Sequence, residues 1–418
     1  MTYNEALEYI HSVCWMGSRP GLERITELCS LMGNVQDKLK YIHIAGTNGK
    51  GSLCSMLTEI CKEEGLRVGT FTSPYVFRFN ERMAVNGEPI SDTELAKITE
   101  KIKPLAESMK DKPTEFELIT GAALLWFYEK NCDIVILEAG MGGRLDSTNV
   151  IKTPVLSVIT SISLDHTSFL GDTEEKIAYE KAGIIKEGVP CIYGKMKESC
   201  AEVIKERANE LGSAVQGCDY GKLSNIYLSA DGASFDFEGF EKRFKLNLAG
   251  GYQPYNAALA ISCANTLGFS KESIYKGLKA AKWRARFEIL SKDPYVIYDG
   301  GHNPDGVDAC VKTVKELFEG KINILSGVMA DKDYHLITEL LKPVAHKAFC
   351  VTPNNPRALA SSDYAKAFEK AGIPALAFDD MSAALKAAYN ASKNEKRPLL
   401  AMGSLYMYEE FINEYSKY

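Results

Sequence analysis

The sequence predicts an α/β fold in two domains: a mostly parallel sheet of the P-loop type with a small antiparallel sheet added, then a smaller Rossmann-like C-terminal domain. Three observations carry this. Short apolar runs alternate with longer amphipathic ones, as successive βαβ units require. A Gly-rich turn at 46–52 joins the first strand to a helix. A second βα series restarts after a break at 291–294, and 418 residues exceed one ordinary core.

Taken in order, strands are expected at 41–45, 67–71, 133–138, 155–160 and 190–193. Helix starts are marked where a hydroxyl or carboxylate precedes a Glu by three residues: Thr2/Glu5, Ser91/Glu94, Thr114/Glu117 and Asp172/Glu175. Asn86-Gly87 reads as a hairpin turn between 82–85 and 88–90. From about 223 to 248 the pieces become short, Gly-broken and aromatic, which suggests antiparallel strands attached to the main sheet. A strand at 287–290 precedes the break. Beyond it, strands are expected at 295–299, 322–327, 348–351, 375–378 and 399–402, with helices between. The domains are therefore placed at 1–293 and 294–418.

Composition narrows the function. The 55 acidic and 49 basic side chains leave a net charge of -6, which gives no electrostatic footprint for nucleic acid. No apolar run is long enough to span a membrane, and the start of the chain lacks the basic and apolar regions of a signal peptide. The 11 cysteines are scattered from Cys14 to Cys350 and never fall as CxxC. They read as reduced thiols, mostly core fillers, in a cytoplasmic protein.

The strongest local signal is Tyr41-Ile42-His43-Ile44-Ala45-Gly46-Thr47-Asn48-Gly49-Lys50-Gly51-Ser52. Strand, Gly-rich turn, lysine and hydroxyl at a helix start make a phosphate cradle, in which backbone N–H groups and the helix N-terminus attract phosphate oxygens. The spacing departs from GxxxxGK[ST], because Gly51 occupies the hydroxyl position and Ser52 becomes the nearest metal-contacting hydroxyl. A second strand delivers Glu138 at its C-terminal end, where α/β sheets place ligands and where a carboxylate suits nucleotide-bound Mg²⁺. Gly140, Gly142 and Gly143 follow, but their spacing is not that of a dinucleotide fingerprint. A third strand runs into Asp165-His166; imidazole is a poor Mg²⁺ ligand and better suited to Mn²⁺. On composition alone Lys181, in the helix expected at 173–186, is a surface lysine. Further islands are Gln253-Pro254-Tyr255-Asn256, Trp283-Arg284-Ala285-Arg286 and Asp299-Gly300-Gly301-His302-Asn303-Pro304. A helix cap, a surface cation and a tight turn explain each separately. Together they form a polar set of the kind that lines a cleft between domains.

These islands, in this order, resemble the folylpolyglutamate synthase and dihydrofolate synthase branch of the Mur ligase superfamily. The matching segments run from His43 to Tyr406 and include the loop through Ser52, Thr72-Ser73-Pro74, Asn80-Glu81-Arg82 and the Glu138 to Asp146 stretch. Leu164-Asp165-His166, Glu180-Lys181-Ala182-Gly183, the Asp299 to Pro304 stretch, Asp331-Lys332-Asp333, Thr352 to Arg357 and Gly403-Ser404-Leu405-Tyr406 continue it.

The resemblance implies an ATP-dependent amide ligase joining L-glutamate to a folate, reduced folate or dihydropteroate, through an acyl phosphate. It implies ATP contacts from Gly46, Thr47, Asn48, Gly49, Lys50, Gly51, Ser52, Asn256, Arg286, Asp299 and His302. It implies two Mg²⁺ sites, replaceable by Mn²⁺, one using Ser52 and Glu138, the other Glu138, His166 and a carbamoylated Lys181. Lys50, His166 and Lys181 form the implied catalytic set. Folate is expected against 72–82, with Ser73 and Arg82, and against the Asp146 loop. Glutamate is expected near Ser73 and Ser404, and closure of the second domain would exclude water. A monomer is expected, with no nucleic-acid or membrane partner. Two departures stand out: Tyr75 replaces the family's usual His, and Trp283-Arg284-Ala285-Arg286 replaces Trp-Pro-Gly-Arg.

Two rival readings remain. A murein peptide ligase would carry a further N-terminal domain, for which the 45 residues before Gly46 are too few. A nucleotide-dependent switch or binding protein reading guanine would want an Asn-Lys-x-Asp segment, which the sequence lacks.

Overall fold

Two helices of the first part of the chain start at full capping boxes. Thr2 and Thr114 each accept the N–H of the Glu three residues on, while that Glu accepts theirs, so two of the four expected capping boxes form in full, and Ser91 caps by accepting Glu94 N–H. The computed structural model describes residues 1–13 and 19–418. Cys14 lies outside the described residues. The other ten cysteines are free thiols, buried except for the half-buried Cys218, as core fillers should be. No helix among the described residues is long and apolar enough to cross a membrane.

The chain divides into two compact units, Met1–Gly221 with Asn256–Ala280, and Lys222–Tyr255 with Ala281–Tyr418. In the first, strands β1 (Tyr41–Ala45), β2 (Val68–Phe71), β3 (Met83–Val85), β4 (Glu88–Pro89), β5 (Ile134–Glu138), β6 (Leu156–Ile159), β7 (Cys191–Tyr193) and β8 (Val215–Gly217) form one sheet. Its order is β4-β3-β2-β5-β1-β6-β7-β8, parallel from β2 to β8, with β3 and β4 antiparallel at one edge. Asn86 and Gly87, at φ 53° and 83°, make the expected hairpin turn between β3 and β4. The central strands β1 and β5 are buried along their whole length, which is why they read as unbroken apolar runs.

One helix start is displaced. The expected Asp172/Glu175 pair does not cap; Thr173 accepts from Lys176 N–H instead, and helix Glu174–Ala182 follows. Asp172 is drawn off by Lys176, whose ammonium lies 2.7 Å from it, and Thr173 supplies the short hydroxyl that N-caps favour.

The second unit holds two sheets. β9 (Leu223–Ser229), β10 (Gly232–Phe237) and β11 (Phe244–Leu246) form a separate antiparallel sheet, in the order β11-β10-β9. This corrects the expectation that they attach to the main sheet; their inward face is closed by Phe235 stacked on Phe244. β12 (Glu288–Lys292), β13 (Tyr295–Asp299), β14 (Ile322–Ser326), β15 (Ala345–Val351), β16 (Ala375–Phe378) and β17 (Leu399–Met402) form the other, in the order β12-β13-β17-β14-β15-β16. It is parallel apart from β12. The expected boundary at 293/294 falls inside the β12–β13 hairpin, whose main-chain pairing keeps β12 with the second unit.

The helix that follows the Gly-rich turn, Lys50–Glu63, is fixed by backbone contact. Gly277 of helix Lys271–Ala280 faces it so closely that a β-carbon there would lie 2.5 Å from Ile60 Cα and N. Gly277→Ala must therefore separate the two helices, and about 1–3 kcal/mol of stability should be lost. Urea unfolding of the variant beside the wild type measures it; an unchanged midpoint would show that the helices do not need this approach.

Candidate active site

Three neighbouring strand ends build the first cluster. In the parallel register Ile44 of β1 pairs with Glu138 of β5, and Ala45 pairs with Ile159 of β6. The turn 46–49, the Glu138 carboxylate and the 160–166 segment consequently leave the sheet side by side, at the carboxyl edge where such sheets take ligands.

Gly49 adopts φ 87° as N-cap of the Lys50–Glu63 helix, so the first-turn N–H groups, which have no acceptor within a helix, open at the loop. A β-carbon on Gly49 would lie 2.7 Å from Asn256 Oδ1, which puts Asn256 beside the loop. Lys50 Nζ folds back to donate to Gly46 O at 3.0 Å and Thr47 O at 3.2 Å, and stands 3.9 Å from Glu138 Oε1. The other carboxylate oxygen of Glu138 accepts from Ser73 N–H at 3.1 Å. Ser52 and Glu138 are both buried.

Lys181 corrects the surface assignment. It is 4% exposed and donates to Gly46 O at 2.9 Å. Burial, with help from the Lys50 charge, lowers its pKa to about 7. Composition hid this because helix Glu174–Ala182 buries Ile177, Ala178, Lys181 and Ala182 on one face, with Lys181 the only charged member of that set. His166 is left-handed at φ 50° at the start of helix Thr167–Leu170. Its ring is 42% exposed, with Nε2 4.0 Å from Asp165 Oδ1.

Among the described residues no group of three or more His, Cys, Asp or Glu is arranged to hold a metal ion. The hard-oxygen pair of Ser52 and Glu138 nevertheless fits Mg²⁺, which takes one or two protein oxygens and completes its shell with water and phosphate.

The residues expected to meet folate lie on the same edge. Arg82 Nη1 donates to Ser73 Oγ at 3.4 Å, and its guanidinium stacks over Tyr75 at 5.2 Å and Phe79 at 5.5 Å. Tyr75 thus gives Arg82 an aromatic face. Asp146 turns inward: one oxygen accepts Met141 N–H at 2.9 Å, the other accepts Thr148 N–H at 3.0 Å and its hydroxyl at 2.6 Å. It shapes the glycine loop after Glu138. Behind it, His43 Nε2 meets Thr148 Oγ1 at 2.9 Å, and full burial lowers the pKa of the ring to about 3, so it is neutral.

In the second unit Arg286 sits between Ala285 and Phe287, both left-handed at φ 55° and 47°. Ala285 therefore keeps the backbone path that a glycine would favour, at the conformational cost of a β-carbon. Asp299 holds this arch together. One oxygen accepts Tyr252 OH and Phe287 N–H, each at 2.9 Å, and the other accepts Gly301 N–H at 2.7 Å. Burial raises its pKa, against the pull of Arg286. His302 Nδ1 donates to Gly300 O at 3.0 Å, and Asn303 caps helix Pro304–Leu317. Ser404 accepts Tyr406 N–H, and its carbonyl accepts Tyr298 OH at 2.7 Å.

Sequence reasoning missed Tyr252 and the hydroxyls of Thr160 and Ser161, which bond to Asn48. The run Thr160-Ser161-Ile162-Ser163 just past a strand end was the available signal.

Residues 44–264 match the Mur ligase middle domain, and residues 285–405 match the Mur ligase glutamate ligase domain. Fold, loop and carboxylate together with these domains define the class, an ATP-dependent amino-acid ligase. The dihydrofolate synthase/folylpolyglutamate synthase of Bacillus subtilis is 38% identical over 88% of this chain and 89% of its own. The folylpolyglutamate synthase of Lacticaseibacillus casei is 35% identical over 97% of each. Among solved structures, an FPGS-AMPPCP-folate complex superposes with TM-score 0.87 at 33% identity over 100% of both chains. Escherichia coli FolC in complex with DHPP and ADP superposes with TM-score 0.87 at 29% identity, over 100% of this chain and 98% of its own. The chain belongs to the folylpolyglutamate synthase/dihydrofolate synthase family of Mur ligases.

Lys181 binds its proton more weakly folded, at a pKa of about 7, than at its ordinary 10.5. Folding therefore releases a proton between those values, and stability rises with pH across that window. Below it both states are protonated and the burial cost is complete. In CO₂-free buffer, Lys181→Met should flatten this rise, which urea titrations at several pH values measure. An equally steep rise in the variant would assign it to other groups.

Proposed function

We propose that the chain joins the α-amine of L-glutamate to a carboxylate of a folate at the expense of ATP. One observation carries the reading: Lys50, Ser52 and Glu138 sit at one sheet edge in a chain related over nearly its whole length to folate ligases. The AMPPCP–folate and DHPP–ADP complexes of related proteins support nucleotide and folate as substrates.

The chemistry balances as two displacements. A folate carboxylate oxygen attacks the γ-phosphorus, the bond to ADP breaks, and an acyl phosphate forms. The neutral amine of glutamate then adds to the acyl carbon; the tetrahedral intermediate expels phosphate and the nitrogen loses a proton. No protein nucleophile is needed, so alignment and charge neutralisation are the enzyme's task. Lys50 leaves its loop carbonyls for the phosphates, and the helix N-terminus beside Gly49, Gly51 and Ser52 holds oxygens that gain charge. Asn256 borders the loop. Arg286 and His302 are assigned to the nucleotide phosphates, and Asp299 supports Arg286 through Phe287. Ser73 and Arg82 are assigned to folate, with Asp146 fixing the loop after Glu138, and Ser404 is assigned to glutamate.

Ser52 and Glu138 would hold Mg²⁺, which neutralises phosphate charge. A second ion would draw on Glu138, His166 and Lys181 as a carbamate. The lysine is suited to that modification, since a pKa of about 7 leaves much of the amine neutral, and only neutral amine adds to CO₂. Mn²⁺ would be tolerated at a site containing imidazole. A cytoplasmic monomer is the simplest setting for this reaction.

ATP turnover by the purified chain should require glutamate together with dihydropteroate or tetrahydrofolate, and comparing the two acceptors separates the two synthase activities. Lys50→Ala and Glu138→Ala should each lower turnover by about a hundredfold or more while leaving the circular dichroism spectrum unchanged. Wild-type turnover by folded Glu138→Ala would remove the metal assignment.

Carbon-13 NMR after labelled bicarbonate should show a carbamate signal in the wild type that is missing from Lys181→Ala. Enzyme depleted of CO₂ should lose activity and regain it with bicarbonate. Full activity with a bare ammonium at 181 would dispose of the modification.

A further inference from the structure

The Gly-rich loop is held from behind by the end of β6. Thr160 Oγ1 donates to Asn48 O at 2.6 Å, and Ser161 Oγ donates to the same oxygen at 3.1 Å. Ser161 Oγ also accepts Asn48 N–H at 3.0 Å, and Ser161 O accepts Thr47 N–H at 2.8 Å. Thr47 Oγ1 and the main chain of Ser163 exchange two further bonds at 3.2 Å. Gly46 approaches so closely that a β-carbon there would overlap Thr160 Oγ1.

These bonds have a directional consequence. In a trans peptide the C=O and the following N–H point in opposite directions. With Asn48 O fixed toward Thr160 and Ser161, the Gly49 N–H is turned away from β6. Glycine at 49, already at φ 87°, would otherwise let that peptide rotate at little steric cost. A rotated peptide would present a carbonyl where an anion needs a donor.

We propose that Ser161, assisted by Thr160, is a positioning residue for ATP: its hydroxyl holds the Asn48–Gly49 peptide in the one orientation that offers an N–H to phosphate. The inference rests on the ligase reading above and adds to it the residue that orients the loop. Neither hydroxyl needs to touch the nucleotide. Removing both leaves Asn48 O without these donors, and the loop then divides its population between two peptide orientations. Nucleotide affinity falls by the fraction lost, while the folate residues and the chemical step are unaffected.

The test uses the full chain as Ser161→Ala, Thr160→Val, the double variant and Ser161→Thr. Calorimetry gives the affinity for AMPPCP with Mg²⁺, and steady-state kinetics give KM for ATP, KM for folate and kcat. The double variant should bind AMPPCP about tenfold or more weakly, with each single variant intermediate. KM for ATP should rise in proportion, with KM for folate and kcat at saturating ATP unchanged. Ser161→Thr keeps the hydroxyl at a half-buried position and should restore wild-type affinity. Wild-type AMPPCP affinity in the double variant would overturn the proposal. So would a matching rise in KM for ATP and folate, which signals general loosening. Should the double variant not fold, wild-type affinity in both folded single variants is equally decisive against it. A wild-type chain that binds no AMPPCP would instead sink the ligase reading itself, and this inference with it.

Discussion

Ile44 lies opposite Glu138, and Ala45 opposite Ile159, because β1 runs parallel between β5 and β6 with its full length buried. Slippage by one residue would turn every side chain on β1 to the other face of the sheet. It would also withdraw the 46–49 turn from the Glu138 carboxylate. Lys50 meets Glu138, and Lys181 the carbonyl of Gly46, only because this register holds, while the β2–β5 pairing brings Ser73 N–H to the same carboxylate. Apolar burial along these strands thus sets the positions of the polar groups, although none of those groups contributes to the burial.

Charge placement in the first unit follows from this frame. Two lysines share one carbonyl oxygen, that of Gly46; Glu138 stands near Lys50, and the charges of Asp165 and Asp146 only partly offset the burial of Lys181. Such crowding of like charge in a buried place is costly unless one amine gives up its proton, and Lys181 is the more buried of the two. On the proposed reading, bound phosphate, itself multiply anionic, relieves the same crowding by another route.

Much of this was legible in the sequence. Local rules fixed the strands and most caps, since an apolar run or a threonine three residues ahead of a glutamate carries its own signal. The loop and Glu138 were legible as well, because strand-end positions follow from strand ends. Side-chain direction on a polar helix was not. Lys181 lies between Glu180 and Ala182, and nothing in that local composition shows which face the sheet covers. The small sheet was misplaced for a related reason: strand pairing across long separations leaves little local trace. Ala285 and Phe287 escaped notice because their left-handed backbone is imposed by Asp299 and by the Gly300 N–H bond to Ala285 O, against residue preference. The family resemblance supplied roles for Arg286 and His302 that spacing alone did not give.

The order in which the chain leaves the ribosome bears on one feature of this arrangement. The first compact unit is completed only by Asn256–Ala280, after the Lys222–Tyr255 stretch that belongs to the other unit has been made. Until then the Lys50–Glu63 helix lacks the neighbour whose Gly277 closes against Ile60, and its apolar flank is bare. For more than half of its synthesis a nascent chain therefore carries a Gly-rich loop whose supporting helix can pack on the early strands β1, β2 and β5 but not on its helical neighbour. Protease sensitivity of stalled chains, compared on either side of residue 280, would register the moment of closure. Interleaving the units in sequence makes the packing behind the Gly-rich loop a late product of translation, even though the loop itself is among the first segments to be made.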